Sequence, residues 1–250
     1  MSELQSYRTI VTGSTSGIGG ATAIELARGG ANVCVHGRSA ERANSVKNEI
    51  LGLGVRSQSF IADLKSRDQG DELVERAWEV WGGLDAWVHC AGADTLTGAN
   101  AKLSFDEKLD LLWEVDVVAT IRLCRAVGER MKRAGGGSIV TIGWDQAETG
   151  MEGDSGQLFA AVKGAVMAFT RSLAKSLAPE VRVNAIAPGW IKTAWGETAS
   201  SIWHDRVLRE TPAARWGNPE DIAKAARFLI GPNARFVTGQ IVRINGGAVM

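Results

Sequence analysis

The chain has a single tyrosine, Tyr7, in 250 residues, beside nine tryptophans and six phenylalanines. Tyr7 stands where the first apolar run begins, so chemistry that needs a phenol in the middle of the chain is excluded. Cysteine is scarce as well. Cys34, Cys90 and Cys124 are an odd number at wide spacing, with no Cys-x-x-Cys pair and no metal-ligand pattern. Cys34 and Cys90 fall in apolar, strand-like runs and read as small buried thiols. An excess of either charge is also lacking, because Lys+Arg and Asp+Glu are equal at 28 each. No basic field draws nucleic acid, and no acidic excess points to disorder. No apolar run reaches the roughly 18 residues of a membrane span, and Met1 to Arg8 carry no apolar signal core. These absences predict a soluble, reduced, cytoplasmic protein with no nucleic-acid, membrane or metal partner.

What is present suits a large core: 45% of residues are hydrophobic and 22% charged. The 30 glycines exceed the average share of about 7%, which suggests several tight backbone approaches. Short β-branched runs alternate with helical patterns from end to end. Strands are expected at Thr9–Thr12, Asn32–His36, Val55–Ile61, Leu84–Cys90, Ser138–Ile142, Val181–Ala187 and Gln240–Ile244. Helices are expected at Ile18–Arg28, Ala40–Leu51, Ser66 to about Trp81, Phe105–Arg133, Gln157–Leu177 and Pro219–Ile230. This alternation predicts an α/β fold, doubly wound, with a seven-stranded, mostly parallel sheet and helices on both faces. No linker, repeat or low-complexity run divides it, so one domain over 1–250 is expected.

The first strand runs into Thr12-Gly13-Ser14-Thr15-Ser16-Gly17-Ile18-Gly19 and then a helix. Glycine serves where backbone turns sharply, approaches a pyrophosphate, and lets the helix pack on the strand. A helix N-terminus adds free N–H groups and a positive dipole, which hold phosphate. The Gly-x-x-x-Gly-x-Gly spacing departs from the general Gly-x-Gly-x-x-Gly pattern, but its place between first strand and first helix points to dinucleotide binding.

On these residues the chain resembles the short-chain dehydrogenase/reductase family, and within it the 3-oxoacyl-(acyl carrier protein) reductases, over nearly its whole length. The family's Thr-Gly-x-x-x-Gly-x-Gly motif is matched at 12–19. The resemblance implies a Rossmann domain whose Gly13, Ser14, Thr15, Ser16, Gly17, Ile18 and Gly19 bind the cofactor. It implies that Asp63, followed by Leu64, contacts the adenine. The family's Asn-Asn-Ala-Gly is half kept as His89-Cys90-Ala91-Gly92. Pro188-Gly189, followed by Trp190-Ile191-Lys192-Thr193, corresponds to the segment that cradles the nicotinamide amide. Gly217-x-Pro219-Glu220-Asp221-Ile222-Ala223 and Val237-Thr238-Gly239-Gln240 also look like the family.

The adenosine end reads independently of the resemblance. An NAD site usually carries an acid about 20 residues past the glycine loop. Here the second strand ends His36-Gly37-Arg38-Ser39, with no Asp or Glu between Gly29 and Ala40. A guanidinium there pairs with a 2′-phosphate, and no carboxylate repels it. The cofactor expected is NADP(H).

The catalytic positions are where the chain departs from the family. In the family a Tyr-x-x-x-Lys pair moves the proton as hydride moves. Here the helix reads Phe159-Ala160-Ala161-Val162-Lys163. A phenyl ring transfers no proton, while for Lys163, one turn on along the same face, the resemblance implies a ribose-binding role that does not need the tyrosine. The family's serine falls on Trp144 when counted from the fifth strand and near Gln146 when counted back from Phe159. The family's asparagine on the long helix corresponds to Asp116. Of four catalytic positions three are changed.

Trp144-Asp145-Gln146-Ala147-Glu148-Thr149-Gly150-Met151-Glu152-Gly153-Asp154-Ser155 contains four carboxylates and no base. It reads either as a solvated loop with Asp154 or Ser155 capping the next helix, or as a source of acid. In the second reading Asp145 or Glu148, desolvated by tryptophan, donates a proton or faces a cationic substrate. Trp144, Trp190, Trp195 and Trp203 fall in the segments about 143–156 and 190–212 that the resemblance assigns to substrate. They either pack those loops or line a pocket for an apolar, aromatic or flat cationic molecule. His204 lies in the same region, and His89 is expected to pack beside the cofactor.

Three functions stay open. The first is an NADP(H)-dependent oxidoreductase acting on a small or medium apolar carbonyl or imine, with a non-standard proton donor. The second is a cofactor-binding protein without redox turnover, and the third a lyase or isomerase on the same scaffold. The resemblance further implies a homotetramer or homodimer.

Overall fold

The computed structural model describes residues 3–250. Its sheet is formed by β1 (Arg8–Thr12), β2 (Asn32–Gly37), β3 (Ser57–Ile61), β4 (Ala86–His89), β5 (Gly137–Ile142), β6 (Val181–Pro188) and β7 (Ile241–Ile244). The strand order is β3-β2-β1-β4-β5-β6-β7, and every neighbouring pair is parallel. Successive strand residues face opposite layers, as a pleat requires. Ile10, Cys34, Trp87 and Ile139 enter one core, and Val11, Val33, Val88 and Val140 the other. Burial on both faces explains why these strands read as continuous apolar runs.

Helices α1 (Gly17–Arg28), α2 (Ala40–Gly52) and α9 (Pro219–Ile230) cover one face, through Leu26, Ile50 and Leu229 among others. Helices α3 (Arg67–Glu79), α5 (Ala119–Arg133) and α6 (Asp154–Leu177) cover the other, through Leu73, Leu123 and Leu173. Side-chain caps fix several helix starts, such as Ser39 accepting from Arg42 N–H and Ser104 sharing a capping box with Glu107. No helix of the described residues is long and apolar enough to cross a membrane.

The single helix expected over 105–133 is interrupted. α4 (Phe105–Leu112) passes into a π-helical turn, Trp113–Val118, before α5 begins. The wider turn carries Asp116, whose carboxylate accepts from Ala93 N–H at 2.8 Å. α6 starts three residues before the expected Gln157, behind Gly153 at φ +85°, so neither Asp154 nor Ser155 is the cap. The segment 190–212 is not all loop, since it forms α7 (Ala194–Thr198) and α8 (Ser201–Glu210). Tyr7 lies just before β1, at the amino end of the sheet.

The strand order reverses between β1 and β4, because the chain winds from β1 towards β3 and then returns outward from β4. A crevice opens at the carboxyl ends of these strands, where the loops on either side part.

Candidate active site

The crevice holds a groove of about 390 Å³ under α1, lined by Gly13, Thr15, Ser16, Ile18 and Gly19. The turn is closed from within. Ser14 is fully buried, its hydroxyl donating to Val11 C=O at 2.7 Å and accepting from His36 N–H at 2.9 Å. Its side chain is therefore spent on holding the turn, and Gly17 opens α1 beside it. Gly13 sits at φ +67°, and a Cβ there would come within 2.7 Å of Ala91 Cα. A Cβ on Gly19 would meet Gly13 C=O at 2.3 Å. The backbone thus forms a cradle that side chains would fill, at the N-terminus of α1, where Ser16 gives no side-chain cap. These are the features that fit a pyrophosphate.

Further along the groove stand Arg38, Asp63, Leu64, Cys90, Ala91, Gly92 and Thr193. Ser39 is not on this wall, because it caps α2. Arg42 and Lys65 add two cations that the sequence reading did not single out. Nor did it single out His36 as a groove residue. Its Nδ1 accepts from Gly13 N–H at 3.2 Å, and its Nε2 lies 3.2 Å from Ala62 C=O. Burial lowers the ring to about 4, which keeps it neutral. His89 is buried behind the groove, with Nδ1 taking the Trp87 indole N–H at 3.3 Å, and burial lowers it to about 3.

A second cavity, about 460 Å³, adjoins the groove, and Ile18 and Thr193 line both. Its walls include Trp144, Phe159, Lys163, Pro188, Gly189 and Ile191. Of the two positions counted for the family's serine, Trp144 is on the wall, with its ring 6.4 Å from that of Phe159 at an edge-on angle. Gln146 is buried away from it. Lys163 Nζ donates to Asp116 Oδ1 at 2.7 Å. Asp116 is 2% exposed, and a side chain on Gly92 would meet its Oδ1 at 2.8 Å. The cation facing the cavity is therefore neutralised from behind by a buried carboxylate.

The acids of the loop after β5 do not line the cavity. Asp145 turns behind Gly189, where Asn245 Nδ2 donates to its Oδ2 at 3.1 Å and its Oδ1 has no partner. Burial pushes its carboxyl up to about 6, as expected for an acid in apolar surroundings, but not at the cavity wall. Glu148 lies between Arg171 at 2.8 Å and Arg243 at 2.7 Å, and the Arg171 hydrogen bond holds it below the ordinary carboxylate range. Glu152 pairs with Arg206 at 2.5 Å. The loop has no base of its own, but other elements supply three arginines.

Three tryptophans from the far side complete the wall. Trp190 and Trp203 have ring centres 5.5 Å apart, and Trp195 and Trp203 also lie 5.5 Å apart, at 74°. Trp190 touches Trp195 at 6.2 Å, so the rings both pack the loops and face the cavity. The sequence reading missed Ser155 as a wall residue. It precedes Phe159 by one turn and would have been found had the start of α6 been placed at Asp154.

Comparison with known proteins agrees with this geometry. A family model described as Enoyl-(Acyl carrier protein) reductase matches residues 13–249. The 3-oxoacyl-(acyl-carrier-protein) reductase FabG of Aquifex aeolicus is 34% identical over 250 residues, covering 98% of each chain. A short-chain dehydrogenase from Burkholderia cenocepacia J2315, solved in complex with NADP, superposes with a TM-score of 0.88 at 33% identity. The match covers 98% of this chain and 99% of that one. A 7α-hydroxysteroid dehydrogenase, complexed with NADH and 7-oxo glycochenodeoxycholic acid, gives 0.89 at 33% identity, over 98% and 95% of the two chains. With its motif loop, strand order and whole-length match, the chain belongs to the short-chain dehydrogenase/reductase family and resembles the 3-oxoacyl-(acyl-carrier-protein) reductases.

Proposed function

We propose that the chain is an NADP(H)-dependent oxidoreductase acting on a small or medium apolar carbonyl or imine, with no tyrosine in the proton path. The observation that carries this reading is the junction of groove and cavity at Ile18 and Thr193, with Lys163 on the wall and Phe159 in place of a phenol. Both NADP and NADH occur among the similar solved structures, so the chain's own cations decide the cofactor. Arg38, with Arg42 beside it, suits a 2′-phosphate, and no acid faces them from the end of β2. Asp63 and Leu64 would flank the adenine, and Lys163 the nicotinamide ribose. Pro188, Gly189, Ile191 and Thr193 would hold the carboxamide side. Bound there, the nicotinamide supplies or takes the hydride.

The proton has fewer routes than in the family. The wall groups able to carry one are the Lys163 ammonium and the hydroxyls of Ser155 and Thr193. A carbonyl substrate needs one of them, or water, to neutralise its oxygen. An imine that is already protonated needs neither. A second reading, cofactor binding without turnover, is favoured by the lack of a phenol at Phe159 and by the pairing of Lys163 with Asp116. NADPH oxidation over a panel of ketones, imines and quinones separates the two. Oxidation with any of these supports the first reading, and tight NADPH binding with no oxidation supports the second. Product formed without NADPH loss would mean lyase or isomerase chemistry. Cytoplasmic location and assembly as a homotetramer or homodimer belong to the same proposal, and sedimentation as a monomer would refute the assembly.

A further inference from the structure

We infer that the cavity is selective for a flat organic monocation, and that the substrate is a preformed iminium rather than a neutral carbonyl compound. This rests on the reading above that the cavity holds the substrate. Trp144, Trp190, Trp195 and Trp203 line it, and indole offers the most negative ring face of any side chain. Of the three rings beyond Gly189, Trp190 and Trp195 stack at 30° while Trp203 crosses both. Trp190 and Trp203 are inclined at 51°, and Trp195 and Trp203 at 74°, which makes an aromatic corner.

The charges around this corner leave room for a cation. Lys163, the wall's cationic group, is tied to Asp116 at 2.7 Å and so presents little net field. At the rim Arg206 lies 5.0 Å over the Trp203 ring, where it serves two carboxylates, Glu152 at 2.5 Å and Glu210 at 2.8 Å. That arginine is therefore matched by two carboxylates. A delocalised quaternary or iminium cation is weakly hydrated, so its transfer into an apolar corner costs far less than that of an ammonium group. Its charge then meets indole faces instead of water.

The redox step is consistent with the missing phenol. Hydride adds to the iminium carbon, the C=N π pair becomes the nitrogen lone pair, and a neutral amine leaves. Bound NADPH would supply that hydride as the reductant, with NADP⁺ as the other product. No proton moves, and one positive charge passes from substrate to nicotinamide within the same crevice. A ketone would instead place an alkoxide beside indoles, with no phenol to quench it.

The test is binding of an isosteric pair, N-methylisoquinolinium and 2-methylnaphthalene, to the NADPH-loaded protein, followed by calorimetry and by quenching of indole fluorescence. The cation is expected to bind at least about tenfold more tightly, and Trp195→Leu to remove most of that preference. Equal binding of the two, or tighter binding of the hydrocarbon, would overturn the inference. So would a preference left intact in both Trp195→Leu and Trp144→Leu. NADPH binding is measured first in the same protein. Its failure would sink the functional reading, whereas intact NADPH binding with no cation preference sinks only the inference.

Discussion

The groove beside β1 and β2 and the cavity beside β5 and β6 meet at Ile18 and Thr193, yet they are built differently. The groove's phosphate cradle is made of backbone. The cradle at Gly13 and Gly19 tolerates no Cβ, and His36 and Ser14 lock it from behind. The cavity depends on side chains, with Phe159 and Trp144 on its wall and Asp116 behind Lys163. A site made of backbone is hard to alter without losing the fold, whereas a wall of side chains can be rewritten one residue at a time. Beside Phe159, Lys163 is bound to the buried Asp116 carboxylate.

That comparison can be broken most severely by restoring the cavity. Phe159→Tyr combined with Asp116→Asn is expected to raise ketone reduction by about 10²–10⁴-fold, the usual range for a positioned acid. Phe159→Tyr alone is expected to gain much less, because Asp116 still neutralises Lys163. Equal gains from the single and double variants would show that the pair does not restrain the lysine. Removing the lysine instead leaves a buried carboxylate without its partner. Lys163→Met should cost about 3–5 kcal/mol of stability, read from denaturant unfolding, and the added change Asp116→Leu should recover much of it.

A smaller effect separates Asp145 from the cavity. Its carboxyl is raised to about 6, so the folded chain holds that proton more tightly than the unfolded chain, whose value is about 3.9. The contribution is full below about pH 4 and is lost as pH rises through about 6. Asp145→Asn should therefore match wild type near pH 4 and exceed it by on the order of 2–3 kcal/mol at pH 8. Turnover should be unchanged, since Asp145 lies behind Gly189. A fall in turnover with unchanged stability would return Asp145 to the site. The smallest change tests the groove. Arg38→Ala should lower the preference for NADPH over NADH about tenfold, with Arg42 limiting the loss.

Much of this was legible in the sequence because it is periodic or punctuated. The strand–helix alternation, the glycine turn and Pro219 at the first position of α9 each follow from local rules, and the structure places them within a few residues. Elements defined by tertiary contact were not legible. The π-turn at Trp113–Val118 has no sequence period of its own and coincides with the anchoring of Asp116 to Ala93 and Lys163. The fate of the acids was hidden for the same reason. Arg171, Arg206 and Arg243, which pair with Glu148 and Glu152, lie 23 to 95 residues away in the chain. Ser155 escaped notice through a local error, because a helix start set at Gln157 left it off the face it shares with Phe159 and Lys163.

Whether this crevice passes hydride to a substrate that needs no proton is read from NADPH oxidation with a matched pair of compounds. N-methyl-3,4-dihydroisoquinolinium and 1-tetralone have similar shape, but only the ketone needs a proton. The iminium is expected to be reduced with stoichiometric loss of NADPH, and tetralone to be left essentially untouched. Reduction of tetralone as fast as the iminium, or no oxidation with either in a protein that binds NADPH, would contradict that expectation.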